Sequence, residues 1–301
     1  MKFDENLAAV HGYLCSDGYV IRNPENQRHK YYVIALRNTN IVLLEDFQNR
    51  FEKYFGVKPA IRNGRCIINS KPIYIKLIDK FGSFYSYEWK IPELDRNLIT
   101  FWLRAFFDCE GWVEINGRKS RMVCAESVNL KGLEQVKRSL LTMGIKSRIK
   151  PKKSGSIFRL LIFGKENVKQ FGSAVGFLHP QKREKLLGLI SSYPDYVWSF
   201  PCDEEENMIF VKSVMLSKAR PKPPYSIRIT SNKKENLVKL SEHITKYSGV
   251  TPKINSYRNG YGTEYSELSV NNKNDILKLM CCGLIGRQMP KNQNYLFKQS
   301  K

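Results

Sequence analysis

The sequence predicts an α+β protein made of three passes of one unit, each pass an antiparallel sheet with helices laid against it. Three observations carry this. A glycine frame recurs as YFGVKPAI (54–61), TMGIKSRI (142–149) and YSGVTPKI (247–254): Gly, a β-branched residue, Lys or Thr, two residues, Ile. Each copy closes a run with apolar residues at helical period and follows a short strand-like segment. Ahead of the first two copies, an apolar helical stretch ends in an acid followed by glycine, at Asp17-Gly18 and Glu110-Gly111.

Taken in order, the first unit opens with the helical run ENLAAVHGYLCSDG, and YYVIALRNTN is a strand with a polar break. NIVLLEDFQNRFEKYFG is the amphipathic helix, with Ile41, Leu44, Phe47, Phe51 and Tyr54 on one face. Gly56 closes it in a left-handed conformation, and the β-branched residue after it opens the next strand. SKPIYIKLIDKFG is the second helix, and YEWKIPEL follows, with Pro92 and Glu93 expected to start the helix that bears the second acid. The second unit repeats the order in RMVCAESVN, LKGLEQVKRSLLTMG, GKENVKQFGSAVGF and the tail FLHPQKREKL. The third repeats it in YSIRITSN, ENLVKLSEHITKYSG, NKNDILKLMCCGL and RQMPKNQNYL.

The third unit differs at its start. Asp17 precedes Gly56 by 39 residues and Glu110 precedes Gly144 by 34, whereas the matching stretch before Gly249 is FVKSVM, with no acid and no glycine. MIFVKSVML alternates like a strand, and CDEEE reads as a solvated loop. The third unit is therefore expected to be a related β/α unit that lacks the acid helix. The expected domains are 1–95, 96–195 and 196–301, the last boundary set by the proline-rich and acidic stretch 192–203.

Fifty Lys and Arg against 28 Asp and Glu give a formal charge of +22 in 301 residues, which suits a polyanionic partner, nucleic acid first. The alternative source of such a charge is a basic proteome or a solubility effect. The seven cysteines form no spaced framework and read as reduced thiols in an intracellular protein, in cytoplasm, nucleoid or organelle matrix. No CxxC or HExxH occurs and the four histidines are scattered, which argues against zinc and against a histidine-based nuclease. No secretory leader is evident, and the apolar run LITFWLRAFF is too short for a membrane span and carries Arg104.

The two acids belong together. Aligning Asp17 with Glu110 places Gly12 on Ala105 and Ser16 on Cys109, small residues four apart that make one groove on each helix. Tyr13, Leu14, Phe106 and Phe107 flank the grooves and point to each half's own core. Paired helices would bring both carboxylates to one end, where the helix dipoles are already negative and the acids repel each other. Two or more divalent cations relieve both problems, and hard carboxylate oxygens with carbonyls and water suit Mg²⁺. Beside a basic surface this points to phosphodiester cleavage.

LAAVHGYLCSDG and ITFWLRAFFDCEG, with the FLHPQKREKL tail, resemble the two helices that name the LAGLIDADG homing endonucleases. The resemblance covers residues 5 to about 195. It implies two αββαββα domains in a pseudo-twofold arrangement, their antiparallel sheets forming a saddle on the DNA major groove. It further implies one monomeric chain that cuts both strands across the minor groove with Mg²⁺, leaving cohesive ends. By motif match, Asp17 and Glu110 are the metal-binding acids, the carbonyls of Ser16 and Cys109 further ligands, and Lys90 and Lys182 the basic residues that steady water and phosphate. The third unit departs from the pattern and either extends the DNA contact or buttresses the second domain.

Sequence readout is expected from strand side chains that face DNA: Arg22, Arg37, Arg62 and Arg65 in the first unit, Arg118, Arg121, Arg148 and Lys150 in the second, and Arg228 in the third. Two other readings remain. One is a non-cleaving binder on the same scaffold, an intron RNA maturase or a transcription factor; the other is a purely structural repeat protein. Met1 and the closing KQSK speak against an intein.

Overall fold

The computed structural model describes the chain except residues 24–25, 117–119, 153–154, 194–195, 223, 261–262 and 286–301. The chain forms two compact units, Met1–Tyr193 and Pro194–Lys301. The tail RQMPKNQNYL and Arg118 lie outside the described residues.

The first unit runs twice through one order. Helix α1 (Glu5–Leu14) leads into β1 (Gly18–Arg22), β2 (Tyr32–Arg37), α2 (Ile41–Phe55), β3 (Ala60–Arg62), β4 (Arg65–Asn69) and α3 (Lys71–Phe81). Helix α4 (Leu98–Glu110) leads into β5 (Gly111–Asn116), β6 (Ser120–Ser127), α5 (Leu130–Thr142), β7 (Arg148–Pro151), β8 (Phe158–Phe163), α6 (Lys165–Ala174) and α7 (Pro180–Ser191). The sheets are antiparallel, with strand orders β1-β2-β4-β3 and β5-β6-β8-β7. One apolar core runs through both halves, from Val20, Ile34 and Phe47 to Val123, Leu160 and Phe171.

The recurrent glycines do what the frame requires. Gly56, Gly144 and Gly249 have φ of +72°, +80° and +68°, where a side chain would be strained. Each next strand opens four residues later, at Ala60, Arg148 and Lys253. The buried face of α2 is rotated from the expected one: Leu43, Leu44, Phe47 and Phe51 are buried and Ile41 is 52% exposed. Asn40, as the N-cap, fixes where that helix starts and so which stripe turns inward. Pro92 and Glu93 do not start α4. Asp95 accepts from the N–H groups of Asn97 and Leu98 and sets the start there.

The second unit corrects two expectations. MIFVKSVML lies within a helix, α8 (Glu204–Lys218), and the acidic run is its first turn rather than a loop. Asp203 caps it through the Glu206 N–H (3.0 Å), and Glu204, Glu205 and Glu206 sit at the positive end of the helix dipole. Buried Val211, Val214 and Met215 fall at helical spacing. The unit continues with β9 (Arg220–Lys222), β10 (Ser226–Ser231), α9 (Lys234–Ser248), β11 (Lys253–Arg258), β12 (Glu264–Val270) and α10 (Lys273–Cys281). It thus has its own lead helix and a four-stranded sheet, β11-β12-β10-β9; what it lacks is the acid at the end of that helix.

All seven cysteines are free thiols. No helix of the described residues is long and apolar enough to cross a membrane.

Candidate functional site

The site is built on the seam between α1 and α4. Gly12 makes the seam possible: a Cβ there would stand 2.5 Å from the Trp102 carbonyl oxygen and 3.1 Å from Ala105 Cβ. The Trp102 indole N–H donates to His11 Nδ1 (2.9 Å), a buried hydrogen bond that joins the helices. Farther along, Cys109 lies beside Ser16 and Asp17, both of which act on its buried thiol. The flanking rings turn into their own halves as expected, Tyr13 against Phe47 and Phe107 against Phe171.

Glu110 is the last residue of α4, whereas Asp17 lies two residues beyond the Cys15 cap of α1. The Asp17 charge acts on Glu110. Burial, and then the Asp17 charge, push the Glu110 carboxyl up to about 7, against the pull of Lys182. Glu126 also raises it, although Glu126 is itself paired with Lys152 and Arg159, each at 2.7 Å. Lys182 Nζ donates to the carbonyls of Asp108 (2.5 Å) and Cys109 (3.2 Å). Its own pKa is lowered by burial, partly offset by Cys109, Asp108, Asp17 and Glu110. Lys90 is exposed, and its charge is not among those acting on Glu110. Its segment is held on α5 instead, by Ile91 N–H to Gln135 (2.8 Å) and Asn129 Nδ2 to the Trp89 carbonyl (2.7 Å).

A polar chain missed in the sequence ties Asp17 to the other half. Asn38 donates to Asp17 Oδ2 (2.8 Å) and accepts from the Asn40 N–H (2.8 Å). Asn40 caps α2 and presents its amide nitrogen to His179 Nε2 (3.2 Å). The backbone N–H groups of Leu178 and His179 donate to Asp108, which caps α7 from α4 and so sets where Lys182 emerges. Burial outweighs these bonds and lifts the Asp108 carboxyl to about 6. The position equivalent to Asp108 in the first half is Cys15, buried, and no helix corresponding to α7 follows α3 there.

The oxygen donors at this helix end are of the kind a hard divalent cation takes. Among the described residues, no three or more His, Cys, Asp or Glu form a cluster that could cage a metal. A cation here would draw on two carboxylates, main-chain carbonyls and oxygens of water or substrate, a set suited to Mg²⁺.

Strand register sorts the arginines expected to face a ligand. Arg37 lies opposite Arg65, and Arg65 opposite Arg62, so three exposed arginines cross β2, β4 and β3 in one row. They lie on the face away from Ile34, Leu36 and Cys66 of the core. The turn Asn63-Gly64, with both φ positive, builds the last step of that row. In the second sheet, Arg148 and Lys150 take the equivalent face, and Lys150 pairs with Arg159 and thence Glu126. Arg22 and Arg121 do not share these faces. Arg22 pairs with Tyr32, whose ring packs on Tyr74 of α3. Arg121 is bound to Ser192 (3.0 Å) and lies over the Tyr193 ring. Arg228 is on the outer face of the third sheet but is paired with Glu267 (3.0 Å).

Residues 97–176, which span α4 and the sheet that follows it, match the family model of the LAGLIDADG-like domain. The chain is 29% identical over 197 residues to a replication factor C small subunit of Thermococcus kodakarensis, a match that covers 62% of this chain and 21% of that protein. It is 25% identical over 202 residues to a glutamine–fructose-6-phosphate aminotransferase of Methanocaldococcus jannaschii, again 62% of this chain and 17% of that one. The chain thus spans about a fifth of the length of the curated relatives it matches. Among solved structures it is similar to I-DmoI in complex with DNA and Mn, with a TM-score of 0.45 and 15% identity over 57% of this chain and 96% of that one.

Proposed function

We propose that this chain is a site-specific DNA endonuclease of the homing type, which makes a double-strand break at a long asymmetric target by Mg²⁺-dependent phosphodiester hydrolysis. The observation that carries the reading is buried Glu110 under the charge of Asp17 at one end of the paired helices α1 and α4. Two acids that raise each other's cost when ionised are poorly placed for folding and well placed for cations.

In this reading Asp17 and Glu110 hold two or more divalent ions, with the carbonyls of Ser16 and Cys109 as further donors. When bound, the ions supply Lewis-acid stabilisation of charge that builds on the phosphate. Asn38 fixes the Asp17 carboxylate through its 2.8 Å hydrogen bond. Lys182 holds the Asp108–Cys109 backbone and brings a positive charge to the phosphate. The Arg37–Arg65–Arg62 row takes DNA phosphates or guanine edges. One chain contains both acid helices, so a monomer supplies the whole site. The two sheets carry different outward side chains, which fits a target without twofold symmetry.

Relatives of two unrelated names share the same proportion of this chain, as a self-contained module set into different proteins would. A non-cleaving binder of DNA or intron RNA would leave the coupled acids without a task. The test is cleavage of a randomised or intron-free-allele DNA library. Magnesium should give double-strand cuts at one long site, and chelator should stop them while binding persists. Asp17→Asn and Glu110→Gln should each stop cutting or reduce it to nicking; full activity in either overturns the assignment.

A further inference from the structure

The second unit carries a cation row of its own. Strand register sets Lys253 opposite Ser269, Ser269 opposite Arg228, and Arg228 opposite Arg220. This line crosses all four strands in their spatial order, β11-β12-β10-β9. At about 4.8 Å per strand it is roughly 14 Å long. It lies on the face opposite Ile227, Ile229, Leu268 and Val270, the residues that meet α8, α9 and α10 in this unit's core. All three helices of the unit pack on that other side.

Charge on the outer face is predominantly positive, with Glu267 the acid among its described strand residues. Arg228 is neutralised by Glu267 at 3.0 Å. Arg220, Lys222 and Lys253 are exposed and have no acidic partner among the described residues. Arg220 stands directly across from Arg228. Cations opposed across strands cost stability unless an anion lies over them. Beyond the cation row come Asn255, Glu267 and Thr230, then Tyr257 opposite Tyr265. The two tyrosine rings stack on each other, centroids 5.6 Å apart at 28°. Each ring turns one face to the other, and Tyr257 remains 42% exposed.

We infer that this sheet face is a second DNA-contacting surface, which binds the phosphate backbone of a duplex through Arg220 and Lys253, with Lys222 beside them. The inference rests on the nucleic-acid reading above but not on cleavage. Its partner is double-stranded DNA because cations held at fixed strand spacing on a hydrogen-bonded sheet suit the regularly spaced phosphates of a duplex. A single strand, bound chiefly by stacking, is the alternative that the test separates.

The full chain is used, in chelator, so that binding is read whether or not the protein cuts. Affinity for a long duplex is measured across salt concentrations for the parent, for Arg220→Gln/Lys253→Gln and for the charge-keeping Arg220→Lys/Lys253→Arg. Losing two phosphate contacts should reduce the slope of log affinity against log salt by roughly 1.8. Binding near 0.1 M salt should weaken more than about tenfold, and the curves should converge toward 1 M. The charge-keeping variant should restore the slope. An unchanged slope, or a loss confined to single-stranded DNA or RNA, overturns the inference. Failure of the parent to cut when Mg²⁺ replaces the chelator, with the slope change intact, would overturn the nuclease reading alone.

Discussion

Gly12 lies so close to Trp102 that a β-carbon on it would stand 2.5 Å from the Trp102 carbonyl oxygen. The atom it would meet is backbone of a neighbouring helix, which cannot swing aside. Gly12→Ala must therefore push α1 away from α4 or strain both. The expected cost is about 1–3 kcal/mol, read as a lower denaturation midpoint. Because the acids hang from the ends of these helices, cutting should fall more than DNA binding. Unaltered stability with unaltered cutting would show that the seam tolerates separation.

The Trp102 to His11 hydrogen bond tests the same seam without a steric change. Trp102→Phe removes the N–H that His11 Nδ1 accepts and leaves that buried nitrogen only the Cys15 thiol, 3.4 Å away. The expected loss is about 1–3 kcal/mol. His11→Leu/Trp102→Phe, which removes both polar partners, should recover part of it. Additive losses would mean that the bond contributes little.

Much of the fold is legible in the residues because the repeating features are local. Gly56, Gly144 and Gly249 need positive φ, and only glycine adopts it freely, so the frame shows through three diverged units. Helix α8 was hidden because Ile209 and Leu216, both exposed, fill in an alternating pattern around buried Val211, Val214 and Met215. The acids of the candidate site stand out because carboxylates are unexpected beside apolar helix ends. Asn38, Asn40 and His179 do not stand out: Asn40 and His179 are 139 residues apart, and no local pattern reports such a contact. The arginine row was within reach, since Asn63-Gly64 marks a two-residue hairpin that sets Arg62 against Arg65.

Glu110, buried and beside Asp17, is pushed up to about 7, and Asp108 to about 6. A folded-state pKa above the unfolded value means that the native protein holds the proton longer. The contributions of these two carboxyls to stability should therefore fall as pH rises from about 4.5 toward 7 in chelator, while buried His11, its pKa lowered to about 3, contributes the opposite slope below about 6.5. Glu110→Gln should flatten the fall, and thermal melts at pH 5 and 8 measure it. Millimolar Mg²⁺ at pH 8 should raise the parent's midpoint and leave Asp17→Asn/Glu110→Gln unmoved. A pH 5 to 8 difference that is the same in the parent and in Glu110→Gln would contradict the burial of Glu110.

Lys182 and Asp108 separate positioning from charge. Lys182→Met removes the ammonium that touches the Asp108 and Cys109 carbonyls, and should lower the single-turnover cutting rate at saturating protein by tenfold or more. Its effect on DNA affinity should be small. Asp108→Ala removes the acceptor for the Leu178 and His179 N–H groups, which are half-buried. It should cost about 1–3 kcal/mol of stability and slow cutting through the displaced start of α7. Lys90→Met, on an exposed segment held to α5, should leave the rate within twofold. Equal losses from Lys90→Met and Lys182→Met would restore the symmetric assignment read from the motif.

The Arg37–Arg65–Arg62 row makes opposite demands on folding and on binding. Arg65 sits between two like charges, each directly across a strand pair, and none of the three has an acidic partner among the described residues. Like charges in that relation cost a few tenths of a kcal/mol up to about 1 kcal/mol. Arg65→Gln should therefore raise the midpoint slightly at low salt, and the gain should fade as salt screens the parent's repulsion. The same variant loses a phosphate or guanine contact. Duplex affinity should fall, with a salt slope smaller by about 0.9 if the contact is to phosphate. If it is to a guanine edge, the slope should hold and discrimination at one base pair should relax by about 1–3 kcal/mol. A variant neither more stable nor weaker in binding would remove this row from the DNA surface, because unrelieved repulsion is the physical reason to expect an anion there.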